Sequence, residues 1–184
     1  MAVNTAATAQ MARFYKIPSR GGGALTDAKL PGTQAAFESM MGQLMATLSG
    51  VHFVLHSAGI LETYMVASYE KFIIDEEICG MCKRIKRGEK IDAERLAFDI
   101  IKQVGPGGQY LTHMHTYENF KKEFYIPLME ERNTFEGWSR KGKPSIEQAA
   151  NKKWKEILES YREPSLPESA EKALRQYMEK VRSH

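Results

Sequence analysis

Apolar residues recur at helical spacing over several long stretches of the chain and crowd into one short continuous run between two of them. From Thr33 to Leu48, Phe37, Met41, Leu44 and Leu48, flanked by Met40 and Met45, repeat at steps of three and four, which predicts a helix with a broad buried face ended by Gly50. Val51 to Leu55 is unbroken apolar sequence apart from His52, and Gly50 and Ser57-Ala58-Gly59 bound it. That is the length and setting of a fully buried parallel strand, over about 51–56. Met65, Tyr69, Phe72, Ile73, Ile78 and Met81 then predict a long or broken helix from Leu61 to Lys86, stopped by Gly88.

Upstream, the Ala- and Met-rich Ala2–Tyr15 segment reads as a helix. Ile17 to Arg20 reads as extended, because Pro18 biases its predecessor away from helix, and Gly21 to Gly23 follow at once. Downstream, Asp92 offers an N-cap for a helix from Ala93 to Val104, which Gly105-Pro106-Gly107-Gly108 must end. Phe120, Phe124 and Leu128 predict a helix over Thr116 to Arg132, with Pro127 as a kink or boundary. Ser145 with Gln148, and Ser165 with Glu168, have capping-box spacing and predict helices over Ile146–Tyr161 and Pro167–Val181, so the last seventy residues read as helical.

Strands are few: 17–20, 51–56 and a third over Gln109–Thr112. A closed (β/α)8 barrel takes about 250 residues, so 184 residues exclude a complete one. Strand, helix, strand, helix and a helical tail predict the α/β class. The expected fold is a C-terminal fragment of a TIM (β/α)8 barrel, helix-rich with two or three short strands, residues 1–184 being one incomplete region of it. A partial sheet leaves a strand edge unpaired and uncovers the face bearing Phe37, Met41 and Leu44, so a homo-oligomer is expected.

Composition narrows the function classes. A chain 42% hydrophobic and 27% charged is neither disordered nor of low complexity. Its apolar runs fall short of the ~18 residues that a membrane span needs, and the opening MAVNTAATAQ lacks a signal-peptide layout, so no membrane partner and a cytoplasmic location are expected. Residues 1–80 hold five Lys and Arg against seven Asp and Glu, and residues 81–184 hold 21 against 16. The excess base is interleaved with acid, as at Lys121-Lys122-Glu123, in the manner of solvated helix faces. Nucleic acid is therefore not an expected partner.

The most function-like stretch runs from Gly107 to Thr116. Its glycines allow close backbone approach, and His113 and His115 would point the same way if extended; the alternative is a loop leading into a helix capped by Thr116. A metal would need a third ligand, and neither Glu118 nor the thiols complete a recognised spacing, so no metal site is expected. Cys79 and Cys82 have redox-motif spacing but lie within a helical pattern beside Asp75, Glu76 and Glu77, where carboxylates raise a thiol pKa; buried unreactive thiols are expected. Arg20 closes the first expected strand, Asp27 follows in its loop, and His56 and Glu62 flank the end of the second. Barrel folds hold substrates at such strand ends, although plain surface turns account for the same residues.

The segments RFYKIPSRGGGALTDAKLPGTQAAFE, SGVHFVLHSAGILETYMVASYEKFIIDEEI and VGPGGQYLTHMHTYENFKKEFYIPLMEERNTFEGW, in that order, resemble the C-terminal part of the trimethylamine methyltransferase superfamily. The resemblance runs from about Ala7 to Val181 and includes Trp154, Leu158 and Pro164. It implies a TIM-barrel enzyme that moves a methyl group from an amine to the Co(I) centre of a separate corrinoid protein. No cofactor would then be bound directly, and the partners would be that cognate corrinoid protein and a small methylated amine. Members are substantially longer, so the resemblance implies a fragment or a truncated reading frame, inactive by itself. The founding members carry pyrrolysine, placed near Gly21 to Gly23, and none stands here, which points to the non-pyrrolysine branch and to glycine betaine or a relative. A quaternary ammonium leaves as a neutral amine and needs less activation. Aromatic faces would hold the cation, and Arg20, His113 or His115 would meet a carboxylate. Two other classes stand beside this one: a non-catalytic helical assembly or binding fragment, and a small metal or redox protein.

Overall fold

In the computed structural model, which describes residues 1–129, 131–163 and 165–183, two short parallel strands are joined through a helix that packs on them and on two further helices. Of the residues invoked above, Glu130 and Pro164 lie outside the described set. The chain divides into two units, residues 1–154 and 155–184.

In the first unit, α1 is Ala2–Tyr15, as its composition predicts. Lys16 turns left-handed at φ 57°, and the Ile17 N–H returns to the Ala12 carbonyl at 3.0 Å, closing the helix. That bond uses the N–H of Ile17, Pro18 has none, and the N–H of Ser19 goes to His52 Nδ1 at 3.1 Å. The first strand therefore starts later than expected: β1 is Arg20–Gly22, not 17–20, and Arg20 is its first residue rather than its last.

Strand β1 pairs in parallel with β2, Phe53–Leu55, in the register Arg20 to Phe53, Gly21 to Val54 and Gly22 to Leu55. The Gly23 N–H to Leu55 O and Ala24 N–H to His56 O bonds, both 2.9 Å, prolong the ladder. The parallel pairing agrees with the pattern but the full burial does not. β2 has one neighbouring strand among the described residues, and Phe53 is 60% exposed.

Helix α2, Thr33–Leu48, has the predicted span and a different buried face. Ala35, Ser39, Gly42, Gln43 and Ala46 are buried, while Phe37, Met41 and Leu48 are more than half exposed. Small residues let α2 come close to its neighbours: a Cβ on Gly42 would lie 2.3 Å from the Gly23 carbonyl oxygen. Ala46 packs with Ala9 of α1 and with Val51.

Residues 61–68, expected as helix, are instead β3 (Ile60–Leu61), a 3-10 turn (Glu62–Tyr64) and β4 (Val66–Ala67), the two strands antiparallel. Helix α3, Tyr69–Arg87, starts only where the Ser68 hydroxyl accepts the Lys71 N–H. Ile73, Ile74, Ile78 and Cys82 of α3 form the largest core cluster with Ala150, Met40, Leu44, Met129 and Trp154.

The expected helix over 93–104 is broken at Ala97, φ 50°, into α4 (Ala93–Leu96) and α5 (Phe98–Val104), a break that nothing in the residue pattern marks. Gln109–Thr112 is not a strand but a turn into α6, Met114–Glu123. α6 stops well short of Arg132, because Arg84 and Arg87 bind its last carbonyls and the buried Glu77 carboxylate takes the N–H groups of Leu128 and Met129 at 2.9–3.2 Å, holding that segment out of a helix. The C-terminal seventy residues are thus not continuously helical. α7, Phe135–Arg140, which the pattern does not reveal, begins at a Thr134 side-chain cap.

Helix α8, Ile146–Ser160, opens on the predicted reciprocal box, with Ser145 N–H donating to Gln148 Oε1 at 2.9 Å and Gln148 N–H to Ser145 Oγ at 3.3 Å. In the second unit, α9, Glu168–Arg182, has Pro167 at its N-cap and no side-chain cap bond, so the second box does not form. No helix among the described residues is long and apolar enough to cross a membrane.

Candidate functional site

The loops leaving the C-terminal ends of β1 and β2 meet. Thr63 N–H donates to Thr26 O and Glu62 N–H to Ala28 O, both at 3.0 Å, and the Thr63 hydroxyl donates to the Asp27 carboxylate. Lys29 Nζ donates to Asp27 O at 2.8 Å and lies 3.9 Å from Glu62, an exposed pair of little energetic weight. Beneath them, Glu38 of α2 accepts from the Thr26 hydroxyl at 2.5 Å and the Asp27 N–H at 3.0 Å through one oxygen, and from Gln34 at 3.0 Å through the other. These hydrogen bonds, the Thr26 hydroxyl first, hold its carboxyl below the ordinary range, so it is an anion at neutral pH.

A cleft of about 290 Å³ opens over this cluster, lined by Thr26, Asp27, Glu38, Thr63 and Tyr64 with Met1, Ala2, Leu25, Met41 and Gly42. Its backbone is strained on one side: Glu62, Thr63 and Tyr64 have φ of 47°, 48° and 79°, and His56 has φ 54°. None is glycine, and conformations of this kind persist only where their surroundings over-determine them. The Tyr64 ring meets the His56 ring edge-on, centroids 4.7 Å apart, and the His56 Nδ1 is buried with no hydrogen-bond partner.

Of the six residues singled out from sequence, Asp27, His56 and Glu62 are brought together here, Asp27 in the lining and the other two beside Thr63 and Tyr64. Arg20 stands on the first rung of β1. His113 and His115 do not form an extended pair. His113 caps α6 by accepting the His115 N–H at Nδ1 (3.2 Å), and His115 Nε2 lies 3.1 Å from Glu94 O. Thr116 is not the cap; its hydroxyl donates to Tyr110 O at 2.8 Å. Glu38, Thr63 and Tyr64 escaped the sequence reading, since Glu38 looks like the polar face of a helix and the other two fall where a helix was expected.

Below the cleft lies a second feature missed from sequence. Lys71 and Asp75, one turn apart on α3, form an ion pair with side chains 1% and 0% exposed. Burial pulls the Lys71 ammonium below its ordinary range and pushes the Asp75 carboxyl up, and the charge of each opposes the shift of the other. An i,i+4 Lys–Asp pair among Phe72, Ile73, Ile74 and Ile78 is the signal that could have found it. Cys82 is buried and Cys79 half-buried, and burial raises both thiols, with Asp75 adding to the shift of Cys79. Among the described residues no group of three His, Cys, Asp or Glu side chains is placed to hold a metal ion.

Over 160 residues the chain is 48% identical to glycine betaine methyltransferase of Desulfitobacterium hafniense (strain Y51), covering 87% of this chain and 33% of that protein. It is 31% identical over 176 residues to trimethylamine methyltransferase MttB of D. hafniense (strain DSM 10664 / DCB-2), covering 96% and 35%. It is also 32% identical over 183 residues to proline betaine:corrinoid methyltransferase of Eubacterium limosum, covering 94% and 36%. The chain spans about a third of the length of these curated relatives. Residues 1–184 match the trimethylamine methyltransferase (MTTB) family throughout, and the chain belongs to that family.

Proposed function

We propose that this chain is the C-terminal part of a TIM-barrel methyltransferase that moves a methyl group from a quaternary amine of the glycine betaine kind to the Co(I) corrinoid of a separate partner protein, in a cytoplasmic setting. The 48% identity to a glycine betaine methyltransferase carries the reading. The cleft supports it, because it lies where parallel strands end, the position at which barrel enzymes hold substrates. Its walls suit a quaternary ammonium, which can donate no hydrogen bond and is held by carboxylates and aromatic faces. Asp27 and Glu38 supply the charge, and Tyr64, with His56 edge-on against it, supplies the ring.

At about 290 Å³ the cleft is of a size for a small molecule, and the proposal leaves the corrinoid on the separate partner protein. When bound alongside, that group supplies the nucleophile. The residues of this chain bind the cation, fix the direction of one N-methyl group and exclude water from it. Arg20, His113 and His115, outside the cleft lining, enter the proposal as contacts for the substrate carboxylate.

The test replaces the matching part of the D. hafniense glycine betaine methyltransferase with this chain and follows methylation of Co(I) corrinoid spectroscopically. Betaine-dependent methylation supports the reading; a folded hybrid without it contradicts the reading. In the same hybrid, His113→Ala and His115→Ala should raise KM for betaine and leave KM for tetramethylammonium unchanged. No change in either removes both histidines from the site.

A further inference from the structure

We propose that Lys71 and Asp75 are positioning residues, a buried ion pair on α3 that ties the loop after β1 to the turn after β2 and thereby keeps the strained 62–64 turn, and Tyr64 with it, at the cleft.

Four segments meet on these two side chains. Lys71 Nζ donates to Asp75 Oδ1 at 2.6 Å and Oδ2 at 2.5 Å, to Ser39 Oγ of α2 at 2.7 Å and to Ala24 O at 3.5 Å, where the loop leaves β1. Asp75 Oδ2 accepts the N–H of Gly59 at 2.9 Å, and Gly59 precedes β3. The loop that Ala24 begins runs directly into Thr26, Asp27 and Ala28, the partners of Glu62 and Thr63. The pair therefore holds the roots of both loops whose tips zip together above it.

A buried ion pair is a poor source of net stability, since an apolar pair of similar volume often serves as well or better. Directional bonds are what apolar side chains cannot supply, and a turn with three successive non-glycine residues at positive φ needs its ends fixed. The role as site positioning rests on the proposed function; the clamp itself does not.

Hydrogen exchange of the full chain tests the clamp without any turnover. In the parent, the Gly59 and Thr63 amides should be protected. In Lys71→Met/Asp75→Leu, which replaces the pair by apolar groups, both should exchange faster by roughly 10-fold or more, while amides in α1 and the middle of α2 keep their protection. Lys71→Met/Asp75→Asn restores an acceptor for Gly59 and should return that amide, but not Thr63, toward the parent rate. Unchanged exchange at both amides, or loss spread evenly over α1–α3, overturns the proposal. If neither variant folds, the parent decides: unprotected Gly59 and Thr63 amides in the unaltered chain overturn it equally. In the methyltransferase hybrid the same variants should raise KM for betaine, and a hybrid inactive from the start contradicts the function while leaving the exchange result standing.

Discussion

Glu70, in the first turn of α3, joins that helix to α8. One carboxylate oxygen accepts from Asn151 Nδ2 at 2.7 Å and from Trp154 Nε1 at 2.9 Å, and the other accepts from the Ser68 hydroxyl at 3.0 Å. The Asn151 bond first, then that of Trp154, lowers its pKa from 4.5 to about 2. A shift of that size corresponds to about 3 kcal/mol of differential interaction. Glu70 is partly open to solvent, and screening leaves about 1–2 kcal/mol. Because the folded-state pKa lies below the unfolded one, this stabilisation is complete above pH 4.5 and is lost as pH falls toward 2. Glu70→Gln removes the charge and keeps one acceptor. Urea unfolding at pH 7, followed by tryptophan fluorescence, should show the variant about 1–2 kcal/mol less stable than the parent. Repeated at lower pH, the difference should shrink between pH 5 and 2. A difference that stays constant over that range, or none at pH 7, would refute the assignment of Glu70 as the charged link between α3 and α8.

Gly42→Ala sets a methyl group 2.3 Å from the Gly23 carbonyl oxygen, so α2 must move off the loop after β1; a loss of about 1–3 kcal/mol in urea unfolding is expected, and an unchanged midpoint contradicts the close approach. Cys79 and Cys82 should react slowly with a thiol reagent in the native state, Cys82 the slower, and rapidly after denaturation, whereas fast native labelling of both contradicts their burial. Phe37, Met41, Leu48 and Phe53 expose apolar surface around one strand pair, and the chain by itself should show concentration-dependent mass in sedimentation; a monomer at the highest concentration with cooperative unfolding contradicts that expectation.

The bounds of α1, α2, α8 and α9 were legible because each depends on local spacing and on breakers such as Gly50. The parallel pairing of 53–55 was legible from an apolar run of strand length. What escaped the sequence depended on partners far along the chain. The buried face of α2 is its small one, since close approach to α1 and to Gly23 outweighs the burial of Phe37 and Met41. The 60–67 hairpin replaces a helix because its backbone bonds go to Thr26 and Ala28, more than thirty residues away. α6 ends at Glu123 because Arg84 and Arg87, from α3, take its carbonyls. Of the cleft, Asp27 followed from the rule that strand ends carry chemistry, as did His56 and Glu62 beside it, while Glu38 and Tyr64 needed the three-dimensional arrangement. The histidines stood out for their spacing, but His113 Nδ1 serves as the cap of α6 and His115 Nε2 meets the Glu94 carbonyl, 21 residues back in the chain.

In the proposed function, the cleft over Asp27 and Glu38 receives the cationic end of the substrate. Betaine-dependent methylation of Co(I) corrinoid by the hybrid methyltransferase bearing Tyr64→Leu, compared with the unaltered hybrid, tests it most directly. Loss of the aromatic face should raise KM for betaine by roughly 5- to 30-fold, as expected for a cation–π contact of about 1–2 kcal/mol, with the fold intact. A Tyr64→Leu hybrid with unchanged KM and kcat would place the substrate elsewhere and contradict the account.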